Sequence, residues 1–545
     1  MLNILSHFPS DSEPRPEQIR ILSDIQQAIT DKKKYIIIQA ATGAGKSHIA
    51  ATVAAMSEYP NANIVNLIDS YEILKRGQDG YLYEKEVLSY PAYGAAVMTV
   101  TKSLQEQYHS LFNNAAILKG KQNYVCAVDD DFDCDLAPCM LTPKLAEECK
   151  YQNKCPMLNA RRQAWKSKFS VLNYSAFLNQ PDFMKRRQFF ICDEASELED
   201  ELVKHYSCNI EYSKLKLSEL NMDKLQSNLN GDGYRWLTDL STALKELVQE
   251  AEAEFTKNKK NKRILIGQMI KHRYYKNILE KTMAVLQSWY KAEYVTEITK
   301  DAATFTPLYV NMLAQDFLKW GETVILMSGT IIDPDTFAQT LGIKREEYVY
   351  IEVDSAFDPD KSPIYCDTKV KLNYKNMDTA LPGLVDKAIK ICEHFKNDKG
   401  IIHTHTFKIT EALVRKTKGQ SRFLVREAGV TNEAILNEHY LRDDGTVLIS
   451  PSLGYGTDLK DDFGRFSIIM KTPYLPLGSE RIKRLAGKNQ QWYEMKCLVN
   501  LVQMCGRTTR SIDDHSDTFI LDGTAFDLIK RNKSKIPKYF LRRLH

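Results

Sequence analysis

The sequence predicts an α/β protein of parallel, helix-covered sheets interrupted by insertions, and three observations predict it. Short apolar runs recur along the chain, at Tyr35–Ile38, Ala95–Val100, Phe189–Cys192, Thr323–Met327, Gly400–Ile402, Val447–Ile449, Ser467–Met470 and Thr518–Leu521. Helix-prone stretches separate them, the alternation that builds parallel sheets buried on both faces. The first run leads through a glycine-containing loop into the helix-prone Ile49–Met56, the strand, loop and helix order of a phosphate-cradling motif. Between residue 206 and about residue 300 the alternation stops. There Leu237, Leu240, Leu244, Leu247 and Val248 recur at helical spacing, which predicts a helical insertion.

A chain of 545 residues exceeds one core, and at about 150 residues per domain three or four domains are expected. Hydrophobic content of 43% with 26% charged residues excludes disordered and fibrous classes. The net charge of +4 leaves the partner open, because a nucleic-acid enzyme can concentrate Lys and Arg in one channel while staying near neutral. The N-terminus lacks a basic segment followed by an apolar core, and no apolar run reaches membrane-spanning length. The expectation is therefore a soluble cytoplasmic protein with no membrane contact.

Five of the eleven cysteines, Cys126, Cys134, Cys139, Cys149 and Cys155, crowd between residues 126 and 155, which points to metal ligation. The scattered Cys192, Cys208, Cys366, Cys392, Cys497 and Cys505 read as small buried hydrophobes. His403 and His405 would share a strand face, and without a third ligand they read as structural. The basic tract Lys257–Arg263 suits a solvated loop and a nucleic-acid contact equally.

The chemistry lies in four segments. In Ala40–Ser47, Thr42, Gly43, Ala44 and Gly45 would hold phosphates with backbone amides. Lys46 would reach the β and γ phosphates and Ser47 would ligate Mg2+. After the strand ending at Cys192, Asp193 would hold the Mg2+ and Glu194 would orient or deprotonate a water. A solvated acidic turn is the bland alternative, and the phosphate loop decides against it. Ser328-Gly329-Thr330 is the third segment. In Gln503–Arg510, Arg507 and Arg510 stand at i and i+3 of an expected helix, placed to set positive charge on a phosphoryl-transfer transition state from a second domain. A surface ion pair would leave Gln503 and Gly506 unexplained.

In this order the segments resemble the superfamily 2 helicases, and specifically the XPD/DinG family of iron-sulfur DNA helicases, over nearly the whole chain. The resemblance implies two RecA-like P-loop NTPase domains, the first from 1–120, 166–205 and 303–340, the second from 341–545. A Fe-S cluster domain would occupy 121–165 and a helical arch 206–302. Gln18, in Arg15-Pro16-Glu17-Gln18, is implied to contact adenine. Thr99–Gln107 fits the family's T-x-T-x-x-L-x-x-Q segment, which contacts the nucleic-acid backbone, and Met327–Thr330 its third motif. Gly454–Asp458 resembles the fifth motif, with Tyr455 replacing the usual Glu and Asp458 at the nucleotide. Asp513-Asp514 and Phe519–Asp522 continue the sixth, in which Gln503, Arg507 and Arg510 serve catalysis. Ser196 stands where the family's DEAH box has His, so hydrolysis is expected to survive with altered coupling. The length leaves no room for the additional nuclease domain of some relatives.

The implied cofactors are ATP, Mg2+ and a [4Fe-4S] cluster on Cys126, Cys149, Cys155 and one of Cys134 and Cys139. Cys139 is preferred because Pro138 suggests a fixed turn, whereas Cys134 lies among acidic residues. Four-cysteine zinc is the competing reading, and only position within the motor favours iron. The implied activity is ATP-dependent DNA unwinding by a monomeric motor that moves 5' to 3' on single-stranded and forked DNA, with replication or repair proteins as partners. The alternative is a DNA-stimulated ATPase that remodels protein–nucleic acid complexes without net unwinding. A metabolic P-loop kinase would explain neither Gln503–Arg510 nor the cysteines.

Overall fold

The computed structural model describes residues 3–41, 43–71, 91–140, 149, 152–215, 233–257, 262–355, 357–373, 375–425, 431–451, 459–509 and 513–545. Five strands come first, β1 (Tyr35–Ala40), β2 (Ala95–Thr99), β3 (Ala116–Leu118), β4 (Phe169–Asn173) and β5 (Arg187–Asp193). Three follow in the insertion, β6 (Cys208–Glu211), β7 (Tyr294–Ile298) and β8 (Ala302–Pro307), and then β9 (Gly321–Ser328) and β10 (Tyr348–Val353). The first sheet is parallel, in the order β10-β1-β9-β5-β2-β4-β3. It runs past residue 340, where the sequence reading ended the first domain, because β10 pairs with β1 from Tyr35↔Tyr348 to Ala40↔Val353.

Both faces of this sheet are covered, so its strands are apolar without alternation. Residues of even and odd register enter two different cores: Tyr35, Ala96, Phe190 and Leu326 lie on one side, and Ile36, Ala95, Ile191 and Ile325 on the other. The second sheet joins β11 (Ile364–Cys366), β12 (Gly400–His403), β13 (Phe423–Val425), β14 (Val447–Ser450), β15 (Phe466–Ile469) and β16 (Asp517–Ile520). It is parallel too, ordered β11-β16-β15-β12-β14-β13. Every strand expected from the sequence is present.

The helices that matter for the site are α1 (Pro16–Thr30), α2 (Lys46–Met56), α3 (Pro156–Lys166), α4 (Leu198–His205), α5 (Gly233–Lys257), α6 (Lys262–Ser288), α7 (Glu480–Lys488) and α8 (Gln490–Cys505). The insertion is not wholly helical. The hairpin of α5 and α6 stands on an antiparallel sheet β6-β8-β7, and Leu237, Leu240 and Leu244 bury fully against Phe305 and Ile210 of that sheet. In the basic tract, residues 258–261 lie outside the described residues.

The two large sheets meet through α4 on one side and α7 and α8 on the other, in a core that runs from Phe190 and Leu198 to Trp492 and Leu498. Within it Glu199 is 5% exposed and accepts hydrogen bonds from Arg481 Nη2 (2.8 Å) and Trp492 Nε1 (3.1 Å). Lys496 Nζ lies 2.9 Å from Glu199 and 3.0 Å from Asp200. Although burial by itself raises a carboxyl pKa, the Lys496 and Arg481 cations outweigh it and hold Glu199 well below the usual carboxylate range. Removing one member of such a cluster leaves the others charged and buried without a partner. Glu199→Ala should therefore cost about 3–5 kcal/mol of stability, read as a lower melting temperature and a red shift in tryptophan emission. An unchanged melting temperature would contradict this account of the interface.

Candidate active site

The carboxyl edge of the first sheet gathers three of the four motif segments, because β1, β9 and β5 are adjacent and each ends in one of them. After β1 the loop turns through Gly43 and Gly45, at φ 83° and 76°. A Cβ at Gly45 would collide with the Gln18 side chain, so this position combines a left-handed backbone with close approach. Gln18 is buried, accepts from Arg15 N–H (2.9 Å) and donates to the Gly45 carbonyl (3.4 Å), while Arg15 Nη2 donates to the Gly43 carbonyl (2.7 Å). The start of α1 thus braces the loop that precedes α2. Ala44 packs at the edge of the adjoining core, and Thr42 lies outside the described residues.

Lys46 opens α2, with Nζ 3.5 Å from the Ala40 carbonyl and 3.8 Å from Glu194 Oε1. Asp193 ends β5 and is buried. Tyr108 OH donates to its Oδ2 at 2.9 Å and also hydrogen-bonds Ser47, so the Ser47 hydroxyl and the Asp193 carboxylate converge on one phenol. Burial, then repulsion from Glu194, pushes the Asp193 carboxyl up to about 6, with Lys46 opposing. This donor set fits Mg2+: a hard oxygen pair whose carboxylate gains a counter-charge when the ion arrives. Glu194 has φ 51°, a left-handed conformation costly for a residue with a Cβ. The turn faces its carboxylate toward Lys46.

From Glu194 a row of hydrogen bonds crosses to the half of the molecule built on the second sheet. Ser328 Oγ donates to Glu194 Oε2 (3.4 Å), Ser196 Oγ lies 2.9 Å from Ser328 Oγ, and Gln503 Nε2 donates to Ser196 Oγ (3.2 Å). Gln503 is on α8, which stops at Cys505 with Gly506 as its cap. Arg507 is therefore beyond the helix, correcting the expectation of a helical i, i+3 pair. Arg510 lies outside the described residues, as does the Gly454–Asp458 segment. A cleft of about 560 Å³ between the halves is lined by Gly43, Thr101, Gln107, Glu194, Gln503 and Arg507, among others. His403 is buried near Arg507 and held down to about 3, by burial first and Arg507 second. His405, at φ 60°, is past the end of β12 and pairs with the Tyr474 carbonyl (2.9 Å), so the two histidines do not share a strand face.

The cysteine segment is folded more tightly than its composition suggests. Val125 bridges to Asp133, and Cys134 N–H donates to the Tyr124 carbonyl (2.7 Å). Asp133 Oδ1 accepts from the amides of Asp135 and Leu136, both at 2.8 Å. This hairpin brings the Cys134 thiol to a hydrogen bond with Cys155 and close to Cys126, and burial with those two thiols pushes it up to about 12. Cys139, preferred from sequence, packs beside an apolar cluster that contains Cys126, Phe132 and Met269 of α6. The acidic residue Asp133 is a turn-former here. Cys149 is half-buried, as is Cys155 at the start of α3. Among the described residues no three thiol sulfurs lie within 4.8 Å of one another. The donor set nonetheless fits a thiophilic metal or cluster, since three buried or half-buried thiols converge and a bound metal favours the thiolates that burial disfavours.

Tyr108, Arg15 and Glu199 carry the site's support and were not singled out in the sequence, because each acts across strands distant in the chain.

Two family models match, one in each motor half: "Type III restriction enzyme, res subunit" over residues 11–218 and "Helicase C-terminal domain" over residues 389–542. No curated protein matches the chain in sequence. Among solved structures, one titled "XPD_Helicase" is 14% identical with a TM-score of 0.63, covering 96% of this chain and 98% of that one. A second, "XPD_APO", is 15% identical with a TM-score of 0.56 over 94% and 98%. The Xpd4 structure from S. tokodaii is 13% identical with a TM-score of 0.54 over 97% and 99%. At such identities the structures speak for the fold, and the family models speak for the motor. Among the described residues, no helix is long and apolar enough to cross a membrane. With motif order and both family models in agreement, the chain is an ATP-dependent helicase, and its likeness to the XPD structures is one of fold.

Proposed function

We propose that the chain is a DNA helicase that travels 5' to 3' on single-stranded DNA and separates a forked duplex. The observation that carries this is the cleft in which the phosphate loop and Glu194 of one half face Gln503 and Arg507 of the other. ATP fits between them, with its phosphates on the amides of Gly43, Ala44 and Gly45 and on Lys46, and its base near Gln18. Mg2+ on Ser47 and Asp193 would supply charge neutralisation at the phosphates. Glu194 orients the attacking water, and Arg507, with Arg510, places positive charge where it develops in the transition state. Asp458 would complete the nucleotide contacts. Thr101 and Gln107 line the same cleft, so a strand on that segment lies within reach of the motion that closure produces.

The second element of the proposal is a [4Fe-4S] cluster held by Cys126, Cys134, Cys149 and Cys155. Cys134 takes the place given to Cys139 because its thiol contacts Cys155 and lies close to Cys126. The cluster would tie the hairpin at Cys126–Cys134 to the start of α3. That segment also grips the insertion, through Arg273 to Asp135 (3.5 Å) and Lys276 to the Met140 carbonyl (3.3 Å).

Lys46→Ala should abolish ATP hydrolysis and unwinding while the melting temperature and much of the DNA affinity persist. The wild-type protein should release the labelled strand of a fork bearing a 5' tail and leave a 3'-tailed duplex intact. DNA-stimulated hydrolysis with no strand release would favour the remodelling ATPase instead.

Arg507→Ala should leave the Michaelis constant for ATP nearly unchanged and slow turnover by about 10^3 or more, the scale of arginine fingers. A raised Michaelis constant with unaltered turnover would mark Arg507 as a ground-state contact.

Protein purified without oxygen should be brown, with iron near four per chain by the cubane stoichiometry. Cys134→Ser should bleach it and Cys139→Ser should not. Retained colour in Cys134→Ser contradicts the ligand set, and stoichiometric zinc in a colourless wild type contradicts iron.

A further inference from the structure

Residues 535–545 cross from one motor half to the other beside the nucleotide cleft. Their far end is paired into the second sheet: Ile364 N–H of β11 donates to the Arg543 carbonyl (2.6 Å), His545 N–H donates to the Ile364 carbonyl (2.9 Å), and Leu544 bridges to Ile364. Their near end is held by the first half. Lys535 Nζ lies 2.7 Å from the Asp333 carboxylate, and Arg542 meets both oxygens of Asp354 at 2.7 and 3.0 Å. These two acids follow β9 and β10 at the carboxyl edge of the first sheet. Between the anchors runs one helical turn, α9 (Lys538–Arg542), with Phe540 fully buried in the core that both halves share. Tyr539 and Arg543, four positions apart, leave this turn on one side, and both line the cleft. Tyr539 OH donates to the Gly329 carbonyl (3.2 Å). The N–H of that same peptide unit, on Thr330, donates to Ser328 Oγ (3.3 Å), which donates to Glu194. Arg543 is buried and pairs with carbonyls: Nε donates to Ser362 (2.7 Å) and Nη2 to Cys505 (2.9 Å), at the end of α8 and two residues before Arg507. A cation on the last carbonyl of a helix is favoured by the helix dipole.

We propose that α9 is a spacer in the ATPase cycle, and that Tyr539 and Arg543 are positioning residues that fix the distance from the Glu194 carboxylate on one half to Arg507 on the other. Both act through other residues. The Gly329–Thr330 peptide plane has its oxygen on Tyr539 and its N–H on Ser328, so losing the phenol's hydrogen bond frees the plane, the Ser328 hydroxyl and with them the Glu194 carboxylate. At the other end, Arg543 ties the last turn of α8 to Ser362, which keeps the start of the Arg507 segment from swinging. Four helical residues rise about 6 Å, and a single hydrogen-bonded turn passes a displacement at one end to the other. Misplacing reacting groups by about 1 Å costs up to about a hundredfold in rate. A spacer of this kind therefore governs turnover more than nucleotide affinity.

The inference rests on the cleft being the ATP site, and the experiment separates the two. DNA-stimulated turnover, the Michaelis constant for ATP and the melting temperature are measured for wild type, Tyr539→Phe, Arg543→Lys and the double variant, with Lys46→Ala as a control. Tyr539→Phe deletes one hydroxyl and keeps the packing of the ring. Its turnover should fall about tenfold, the rate equivalent of one net hydrogen bond, with the Michaelis constant within about twofold and the melting temperature within about 2 °C of wild type. Arg543→Lys keeps the charge but cannot reach both carbonyls, and should slow turnover in the same way. Because both residues act through one spacer, the double variant should be no slower than the slower single variant. Wild-type turnover in Tyr539→Phe, losses that multiply in the double variant, a Michaelis constant that rises in place of the turnover loss, or a loss that tracks a lowered melting temperature each overturns the proposal. Hydrolysis surviving in Lys46→Ala overturns the site reading instead.

Discussion

The buried carboxylate of Glu199 holds the two motor halves in register. It sits one turn beyond the Asp193-Glu194 segment, and Arg481, Trp492 and Lys496 reach it from the helices that lead into Gln503 and Arg507. Nothing local makes α4 and α8 neighbours. Desolvating three charges is expensive, and it is offset only because each finds an oppositely charged partner at hydrogen-bonding distance. A cluster of this kind tolerates little sliding. On the proposed function, closing the cleft would be a motion about this fixed contact.

From that contact toward the nucleotide, the coupling between halves passes through hydroxyls and an amide and not through a charged ring. Ser196 occupies the position of the DEAH histidine, and the Ser196–Ser328 pair spans the gap at 2.9 Å. A row of neutral groups relays orientation more than charge, since each hydroxyl has one proton and its neighbour dictates where it points. The strain at Glu194 has the same sense: its left-handed backbone is held by the packing of the turn and presents the carboxylate to Lys46.

Much of this was legible in the sequence, and the boundary of legibility is physical. The strands at Tyr35, Ala95, Phe189, Thr323, Gly400, Val447, Ser467 and Thr518 announce themselves because both faces are covered and the runs are mostly apolar. Strand β4, Phe169–Asn173, and edge strand β10, Tyr348–Val353, carry polar or aromatic residues and pass unnoticed. Lys46, Asp193 and Glu194 could be assigned because their chemistry is set by immediate neighbours. Tyr108 could not, since its tie to Asp193 spans 85 positions. Arg507 lies beyond the helix expected for it. The acidic run around Cys134 carries no sequence sign of its fold, yet Asp133 uses its side chain to build the turn that carries Cys134 to Cys155.

A structure bound to DNA and a non-hydrolysable ATP analogue with Mg2+ tests the central claim most directly, namely that one nucleotide is gripped by groups from both halves. The account predicts the γ phosphate between Lys46 and Arg507. An analogue bound to the first half alone, with Arg507 and Gln503 far from its phosphates in the DNA-bound state, would contradict it.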